Sequence, residues 1–181
     1  MTLTWRSPAL RLVATLVAFQ ASWFACVILA GRGEAALATL AGLAAVALHF
    51  AWSDKRGADA RLVAAALAIG IVWDTLLGRS GIVDYAAAGP FEGWAPAWIL
   101  AMWALFAITL REPLQWLHER PVVAALFGGI GGPLSYAAAS RFGACRFADP
   151  QLAMVLLGLG WAAFTLALVA LARHLDRGGR R

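Results

Sequence analysis

Charged residues are scarce in this sequence of 181 residues, of which only 14% are Asp, Glu, Lys or Arg and 62% are hydrophobic. Soluble domains carry about 25% charged and about 45–50% apolar residues. A water-soluble globule of this length has too little interior to bury so much apolar surface. The composition therefore excludes a soluble enzyme, a disordered segment and a nucleic-acid-binding domain, and two cysteines are too few for a disulfide scaffold.

Residues that mark metal and cofactor chemistry are few as well. The three histidines, His49, His118 and His174, form no zinc or di-iron pattern and are expected to be solvated near one membrane surface. The single lysine, Lys55, lies between two apolar runs, which excludes a retinal Schiff base within a span. No Gly-x-Ser-x-Gly motif or phosphate-binding loop is present. The sequence predicts no metal site and no cofactor, and it favours a protein that is not an enzyme.

Long apolar runs take the place of these features. A membrane span needs about 20 mostly apolar residues to cross about 30 Å of hydrocarbon. Six stretches qualify, at about residues 8–30, 34–52, 60–78, 94–110, 121–142 and 151–173. The segments between them are too short for a soluble domain. The sequence thus predicts an all-α fold, in which one integral membrane domain forms a bundle of six transmembrane helices.

The basic residues predict the orientation of this bundle. The net charge is +5, which in a soluble protein would suggest a nucleic-acid partner. The N-terminus, the second and fourth loops and the C-terminal tail together hold eleven Lys and Arg residues, against four in the other three loops. The positive-inside rule places the richer side in the cytoplasm. We therefore expect a bacterial inner-membrane protein with both termini cytoplasmic, the lipid bilayer as its main partner and no nucleic acid.

Glycine is concentrated in the fifth span. Gly128 and Gly132 lie four residues apart, on one face of a helix, where another backbone can approach closely. Pro133 removes a helical N–H, so a kink is expected near Gly129. This segment either packs tightly against a neighbouring helix or lines a cavity. The small residues would suit packing within the chain, a homo-oligomer or a partner membrane subunit.

Several short motifs resemble a known family. They are Phe19-Gln20-x-x-Trp23-Phe24 in the first span, Pro96-Ala97-Trp98 in the fourth and Gly132-Pro133-Leu134-Ser135-Tyr136 in the fifth. Over nearly the whole chain, the sequence resembles a bacterial inner-membrane family catalogued as domain of unknown function 2878. The resemblance implies a small polytopic protein without an assigned activity, often encoded near genes for fatty-acid modification. A His-Ser pair expected between the fourth and fifth spans is replaced by Arg111-Glu112-Pro113, which weakens any role for that loop.

One acid lies clearly within a span, namely Asp74 in the outer third of the third helix. A carboxylate in hydrocarbon costs about 2.5–3.5 kcal/mol on insertion scales, so it normally faces a partner or a cavity. Counting residues from the expected helix ends places several polar and aromatic side chains at the same depth in the outer part of the membrane. This common depth predicts a periplasm-facing pocket between the first, third and fifth helices. Its candidate residues are Gln20, Trp23, Trp73, Asp74, Trp98, Ser135 and Tyr136. The alternative is that Asp74 pairs with Arg79 or Arg141 and orders a helix end, and that the tryptophans form an interfacial belt.

Two features near the outer face have open interpretations. Cys26 and Cys145 are both expected near the periplasmic side, where a disulfide would fasten the first helix to the fifth. Alternatively, Cys26 is a small buried apolar residue that needs no partner. The third loop, residues 81–94, is rich in glycine and proline and is expected to be solvated, although it could fold back over the pocket as a lid.

The sequence supports two classes of function. The first is a membrane protein that binds or moves a lipid-like or small apolar molecule through the periplasm-facing pocket. The second is an intramembrane enzyme, or an accessory subunit of one, in fatty-acid or lipid modification. A second titratable group within hydrogen-bond reach of Asp74 would favour chemistry.

Overall fold

The computed structural model describes residues 8–87, 89, 91 and 93–178. The described residues form six helices, which confirms the all-helical prediction, together with one 3₁₀ turn and two short strands. In chain order these are α1 (Pro8–Gly31), α2 (Ala35–Trp52), α3 (Arg56–Arg79), β1 (Val83–Tyr85), α4 (Ala97–Thr109), the turn (Gln115–Leu117), α5 (Pro121–Arg141), β2 (Cys145–Phe147) and α6 (Pro150–Gly178).

Five of the helices, α1, α2, α3, α5 and α6, are long and apolar enough to cross a membrane. Helix α4 has 13 residues, so its length is about 20 Å against a hydrocarbon thickness of about 30 Å. The apolar run at residues 94–110 is therefore longer than the helix that it contains. Whether the fourth segment crosses the bilayer, and which side holds the termini, stay predictions.

Helix α4 lies at the centre of the bundle. It packs against α1, α2 and α3, and nine of its residues are buried. They are Trp98, Ile99, Ala101, Trp103, Ala104, Leu105, Ala107, Ile108 and Thr109. The surrounding helices instead expose apolar side chains such as Val72, Val122 and Leu159. These apolar outer surfaces are compatible with a bundle of membrane helices.

The two ends of the helix bundle differ in structure. At one end, β1 and β2 pair antiparallel, with Val83 opposite Phe147 and Tyr85 opposite Cys145; we call this the ribbon end. The other end holds the second and fourth connections and the C-terminal turns of α6, and we call it the charged end. The third loop is only partly solvated, because Val83 and Ala87 are buried and β1 pairs with the fifth loop, whereas Phe91 and Trp94 are exposed.

The glycine-rich helix α5 packs most extensively against α6. A Cβ atom at Gly128 would overlap the Thr165 hydroxyl, and one at Gly132 would overlap the Trp161 ring. Both glycines therefore let the two helices approach closely. Helix α5 continues through Pro133 to Arg141, and the structure places Gly158 of α6 beside the Gly129 carbonyl, which is the acceptor that Pro133 leaves unused.

Candidate functional site

A buried carboxylate with three aromatic donors lies near the ribbon end. The Asp74 side chain has no exposed surface. Its Oδ1 atom accepts hydrogen bonds from Tyr85 Oη and Tyr136 Oη, each at 2.5 Å. Its Oδ2 atom accepts a hydrogen bond from Trp103 Nε1 at 2.6 Å. We call these four residues the Asp74 cluster, and it joins α3, β1, α4 and α5.

A glycine and a stacked indole ring hold Trp103 in place within this cluster. Gly70 lies one turn before Asp74 on α3, and a Cβ atom there would overlap the Trp103 ring. The other face of Trp103 stacks on Trp161 of α6, with ring centroids 4.5 Å apart and planes at 11°. Glycine on one side and a stacked indole on the other fix the ring, so its N–H points at the carboxylate.

Neutral donors, rather than a cation, stabilise the Asp74 carboxylate. None of the ion pairs among the described residues involves Asp74. Arg79, its expected alternative partner, donates instead to the Gly93 carbonyl at 2.7 Å and lies over the Trp94 ring. Burial, together with the neighbouring Tyr136 and Asp74, raises the pKa of Tyr85 well above its usual value. Tyr85 therefore remains a protonated hydrogen-bond donor.

An apolar groove of about 660 Å³ lies directly in front of this cluster. Its walls come from α1 and α5, which hardly touch each other, and its floor comes from α4 and Trp161 of α6. Exposed apolar side chains at its edge, Leu16, Phe24, Phe127, Leu134 and Phe142 among them, show that the groove opens on the surface of the bundle.

Four of the seven predicted pocket residues line this groove. They are Gln20, Trp23, Ser135 and Tyr136, and the Trp23 Nε1 atom donates to Ser135 Oγ at 3.0 Å. Asp74 lies behind the wall, in contact with the groove only through Tyr136 and Trp103. Residues that were assigned the same depth on α1, α3 and α5 therefore lie near one another in the structure. Fewer of their side chains face a single cavity than was expected.

Trp73 and Trp98 do not line the groove. Trp73 packs edge-on against Phe164 with centroids 5.0 Å apart, on the α6 side of α3. Trp98 is buried and donates to the Ala87 carbonyl at 3.0 Å, so it holds the third loop in place. Trp73 and Trp98 were predicted to belong to the pocket, but their side chains pack elsewhere. Residues at the same depth can point in different directions around the helix axis and so contact different helices.

The two cysteines are free thiols in the structure. Cys26 Sγ donates to the Ala38 carbonyl at 3.1 Å, whereas Cys145 Sγ donates to the Tyr136 carbonyl at 3.7 Å. Of the two alternatives, the structure has the unpaired Cys26, because Cys26 turns toward α2 and Cys145 toward α5. Burial raises the pKa of Cys145 to about 12.

Sequence reasoning missed a buried ion network at the charged end. Arg111 donates to Asp176 Oδ1 through Nη2 at 2.6 Å and through Nε at 3.1 Å. It also donates to Asp59, which accepts further hydrogen bonds from Ser53 and His49. Arg111 is only 8% exposed, and its carboxylate partners raise its pKa despite its burial. The Arg111 network therefore ties α2, α3 and α6 to the fourth loop, the loop for which the sequence suggested little role.

Two of the histidines, His49 and His118, belong to the same region and are not solvated as expected, whereas His174 is exposed. His49 Nε2 lies 3.2 Å from Asp59 Oδ2, and the buried His118 donates from Nε2 to the Leu110 carbonyl at 2.8 Å. Within the described part of the chain, no group of three or more His, Cys, Asp or Glu side chains is arranged to hold a metal ion. The polar chemistry of the site thus consists of hydrogen bonds and ion pairs among side chains.

Comparison with known proteins identifies one family. The family model described as "Protein of unknown function (DUF2878)" matches residues 12–167, which include the whole groove and the Asp74 cluster. No curated protein and no solved structure matches the chain.

Proposed function

The chain belongs to the DUF2878 family, whose function is unknown, and we propose that it binds or moves a lipid-like or small apolar molecule in the groove between α1 and α5. The observation that carries this proposal is the chemistry of the lining. None of the described residues that line the groove is Asp, Glu, Lys, Arg or His. Binding pockets for small molecules are typically apolar, with a few polar groups that orient the ligand.

Most of the polar groups of the groove lie within about one helical turn of one another. Gln20 lines it without a side-chain hydrogen bond among the described residues, and the Trp23–Ser135 pair lies one turn nearer the ribbon end. Toward the charged end the lining is apolar, with Leu16, Phe127 and Leu114 among it, apart from Thr109, whose hydroxyl donates within α4 to the Phe106 carbonyl. This distribution fits a neutral polar head near Gln20 and an apolar chain that extends toward the charged end.

The length of the groove suits a chain-like ligand. Its α5 wall runs from Phe127 to Phe142, which corresponds to about 22 Å at 1.5 Å per residue. Gly131 faces the groove, since no described atom lies within 4 Å of the position that a Cβ atom would occupy. A large side chain at this position would fill the groove without disturbing the contact between α5 and α6.

Two tryptophan variants on adjacent residues test the proposal. Gly131→Trp should fill the groove, whereas Ile130→Trp places the same ring on an exposed position of α5 outside the lining. The probe is a monoacylglycerol with a photoreactive diazirine in its chain, added to membranes that contain the protein. We expect labelling to fall at least fivefold in Gly131→Trp and to stay unchanged in Ile130→Trp. Equal labelling of both variants at equal protein levels would refute the proposal.

Six membrane crossings with both termini in the cytoplasm of a bacterial inner membrane are part of the proposal. Successive connections alternate between the ribbon end and the charged end, and the charged end is the end where Lys and Arg residues concentrate. Fusion of green fluorescent protein and of periplasmic alkaline phosphatase to the C-terminus tests the orientation. We expect fluorescence from the first fusion and no phosphatase activity from the second; the opposite pattern would overturn it.

A second candidate function, intramembrane chemistry on lipid chains, is favoured by the hydroxyls bound to Asp74. Tyr136 contacts both the groove and Asp74. The Tyr136 hydroxyl could therefore accept a proton from a bound molecule while it passes its own proton to the Asp74 carboxylate. Binding remains the first candidate because Asp74 itself has no surface toward the groove.

Lipid composition in a complemented deletion strain separates the two candidates. If the protein acts by acid–base chemistry, Asp74→Asn should fail to restore the parental lipids although its level in the membrane is normal. Asp84→Asn, which removes an exposed carboxylate from β1, should restore them. Restoration by both variants would exclude the chemical role and leave binding.

A further inference from the structure

A second groove, of about 750 Å³, lies at the charged end between the start of α5 and the last turns of α6. Its floor is apolar and built largely from small residues of α6, namely Ala163, Leu166, Ala167, Val169 and Ala170. Arg173, His174 and Arg177 lie at its end, beside Pro121 and His118. The groove therefore joins an apolar channel along a membrane-type helix to a basic group at the helix end.

The Arg173 guanidinium has few good partners within the protein. Its Nη1 atom lies 3.4 Å from the His118 carbonyl and its Nη2 atom lies 3.3 Å from Glu119 Oε2. Both distances exceed the usual range of about 2.7–3.2 Å for such hydrogen bonds. In other proteins the Nε and Nη2 edge of a guanidinium binds two oxygens of a phosphate side by side. Here Nη2 makes the long contact to Glu119, and Nε, enclosed by protein, has no acceptor among the described residues.

The acid that pairs with both arginines, Glu119, is itself an exposed surface side chain. Glu119 is 68% exposed, and its Oε1 atom accepts a hydrogen bond from Arg177 Nη2 at 3.0 Å. Exposed ion pairs of this kind contribute little and are readily replaced by contacts with solvent. Glu119 can thus leave Arg173 for Arg177, or leave both, when another anion approaches.

We propose that this groove binds the headgroup of an anionic phospholipid, with the phosphate at Arg173 and Arg177 and one acyl chain along the small residues of α6. Basic pockets between membrane helices bind such headgroups, and each Lys or Arg near the surface contributes about 1 kcal/mol. The apolar floor is the reason for choosing a lipid over a soluble phosphate, since a free phosphate would gain nothing from it. This site is separate from the groove between α1 and α5 and does not depend on its function.

Lipid titration followed by native mass spectrometry tests the proposal. The purified chain in neutral detergent is titrated with phosphatidylglycerol, with phosphatidylcholine and with inorganic phosphate. We expect phosphatidylglycerol to bind at least fivefold more tightly than phosphatidylcholine. In the double variant Arg173→Gln/Arg177→Gln this affinity should fall about 25-fold, which corresponds to about fivefold for each arginine.

Two further variants make the test specific. Arg56→Gln/Arg61→Gln removes the same charge from exposed positions of α3 at the same end and should change the affinity less than twofold. Ala167→Trp leaves every charge in place but fills the apolar floor from an exposed position, and it should weaken phosphatidylglycerol binding as well. An equal loss in both double variants would overturn the proposal in favour of general charge attraction. Inorganic phosphate that displaces bound phosphatidylglycerol at equal concentration would overturn it in favour of a soluble anion.

Discussion

Removal of Arg111 should destabilise the bundle more than removal of any exposed arginine. Arg111 bridges Asp59 of α3 and Asp176 of α6, and all three side chains are less than 10% exposed. In Arg111→Met both carboxylates would stay buried without their main cation. Breaking a buried pair in this way costs about 3–5 kcal/mol, because an uncompensated charge is left in a poorly solvated place.

The structure places the expected cost near the lower limit of that range. Ser53 and His49 continue to donate to Asp59, which keeps part of its stabilisation. The Lys55 ammonium lies 3.6 Å from Asp176, but its side chain is 52% exposed, so its attraction is weakened by water. We therefore expect Arg111→Met to lower the free energy of unfolding by about 3 kcal/mol.

Unfolding in mixed micelles of mild detergent and dodecyl sulfate, followed by far-ultraviolet circular dichroism, measures this change. Arg56→Met is the matched control, since Arg56 is exposed and, among the residues that the structure describes, its side chain donates to the Ala51 carbonyl alone. It should change the unfolding free energy by less than about 0.5 kcal/mol. A triple variant, Arg111→Met/Asp59→Asn/Asp176→Asn, removes the unpaired charges and should recover at least half of the loss.

Two results would refute this reasoning. If Arg111→Met unfolds at the same dodecyl sulfate fraction as the wild type, the network does not stabilise the bundle. If the triple variant is as unstable as Arg111→Met, the loss comes from the packing of the arginine stem rather than from buried charge.

Three further predictions concern the ribbon end and the contact between α5 and α6. Gly128→Ala should lower the free energy of unfolding by about 1–3 kcal/mol, because its methyl group overlaps atoms of α6. Gly131→Ala faces open space and should stabilise α5 slightly. Equal melting temperatures of the two variants would contradict this. Tyr136→Phe removes one donor from the Asp74 carboxylate and should cost about 1.5–3 kcal/mol in the same unfolding assay. Cys145, with a pKa of about 12, has roughly one part in 10⁴ as thiolate at pH 8, so it should resist N-ethylmaleimide until the protein unfolds; fast labelling of the folded protein would show an accessible thiol.

The sequence predicted the helices well where charges or prolines bound an apolar run. Residues 34–52 correspond to α2, Ala35–Trp52, and residues 121–142 correspond to α5, Pro121–Arg141. The fourth segment was predicted about four residues too long, because Trp94 and Ala95 extend the apolar run without continuing the helix. The strands β1 and β2 have three residues each, and a pattern of three residues is too short to distinguish a strand from a loop.

Half of the Asp74 cluster could be predicted because helix depth is readable from sequence. Counting residues from the helix ends placed Asp74 and Tyr136 at one level, and they are hydrogen-bonded. Tyr85 lies in a loop, where sequence spacing carries no depth. The depth of Trp103 alone does not show which way its indole N–H points.

The Arg111 network could not be predicted for a different physical reason. Charged residues near the ends of spans usually lie in water, so each of its members, taken alone, resembled an ordinary solvated side chain. The network becomes visible only when α3 and α6 pack side by side, since Arg111 and Asp176 are 65 positions apart in the chain. A signal was nevertheless present: Asp59 and Asp176 are acids at the end that is otherwise rich in basic residues.

The gap between α1 and α5 determines where a ligand would come from. Large apolar side chains at its edge are exposed on the outer surface of the bundle, so in the membrane placement that we propose the groove would face acyl chains rather than either aqueous compartment. A hydrophobic molecule is far more concentrated in the bilayer than in water. Capture from that reservoir requires only a modest advantage over neighbouring lipids, and the rate of exchange would depend on lateral diffusion and on how far α1 separates from α5.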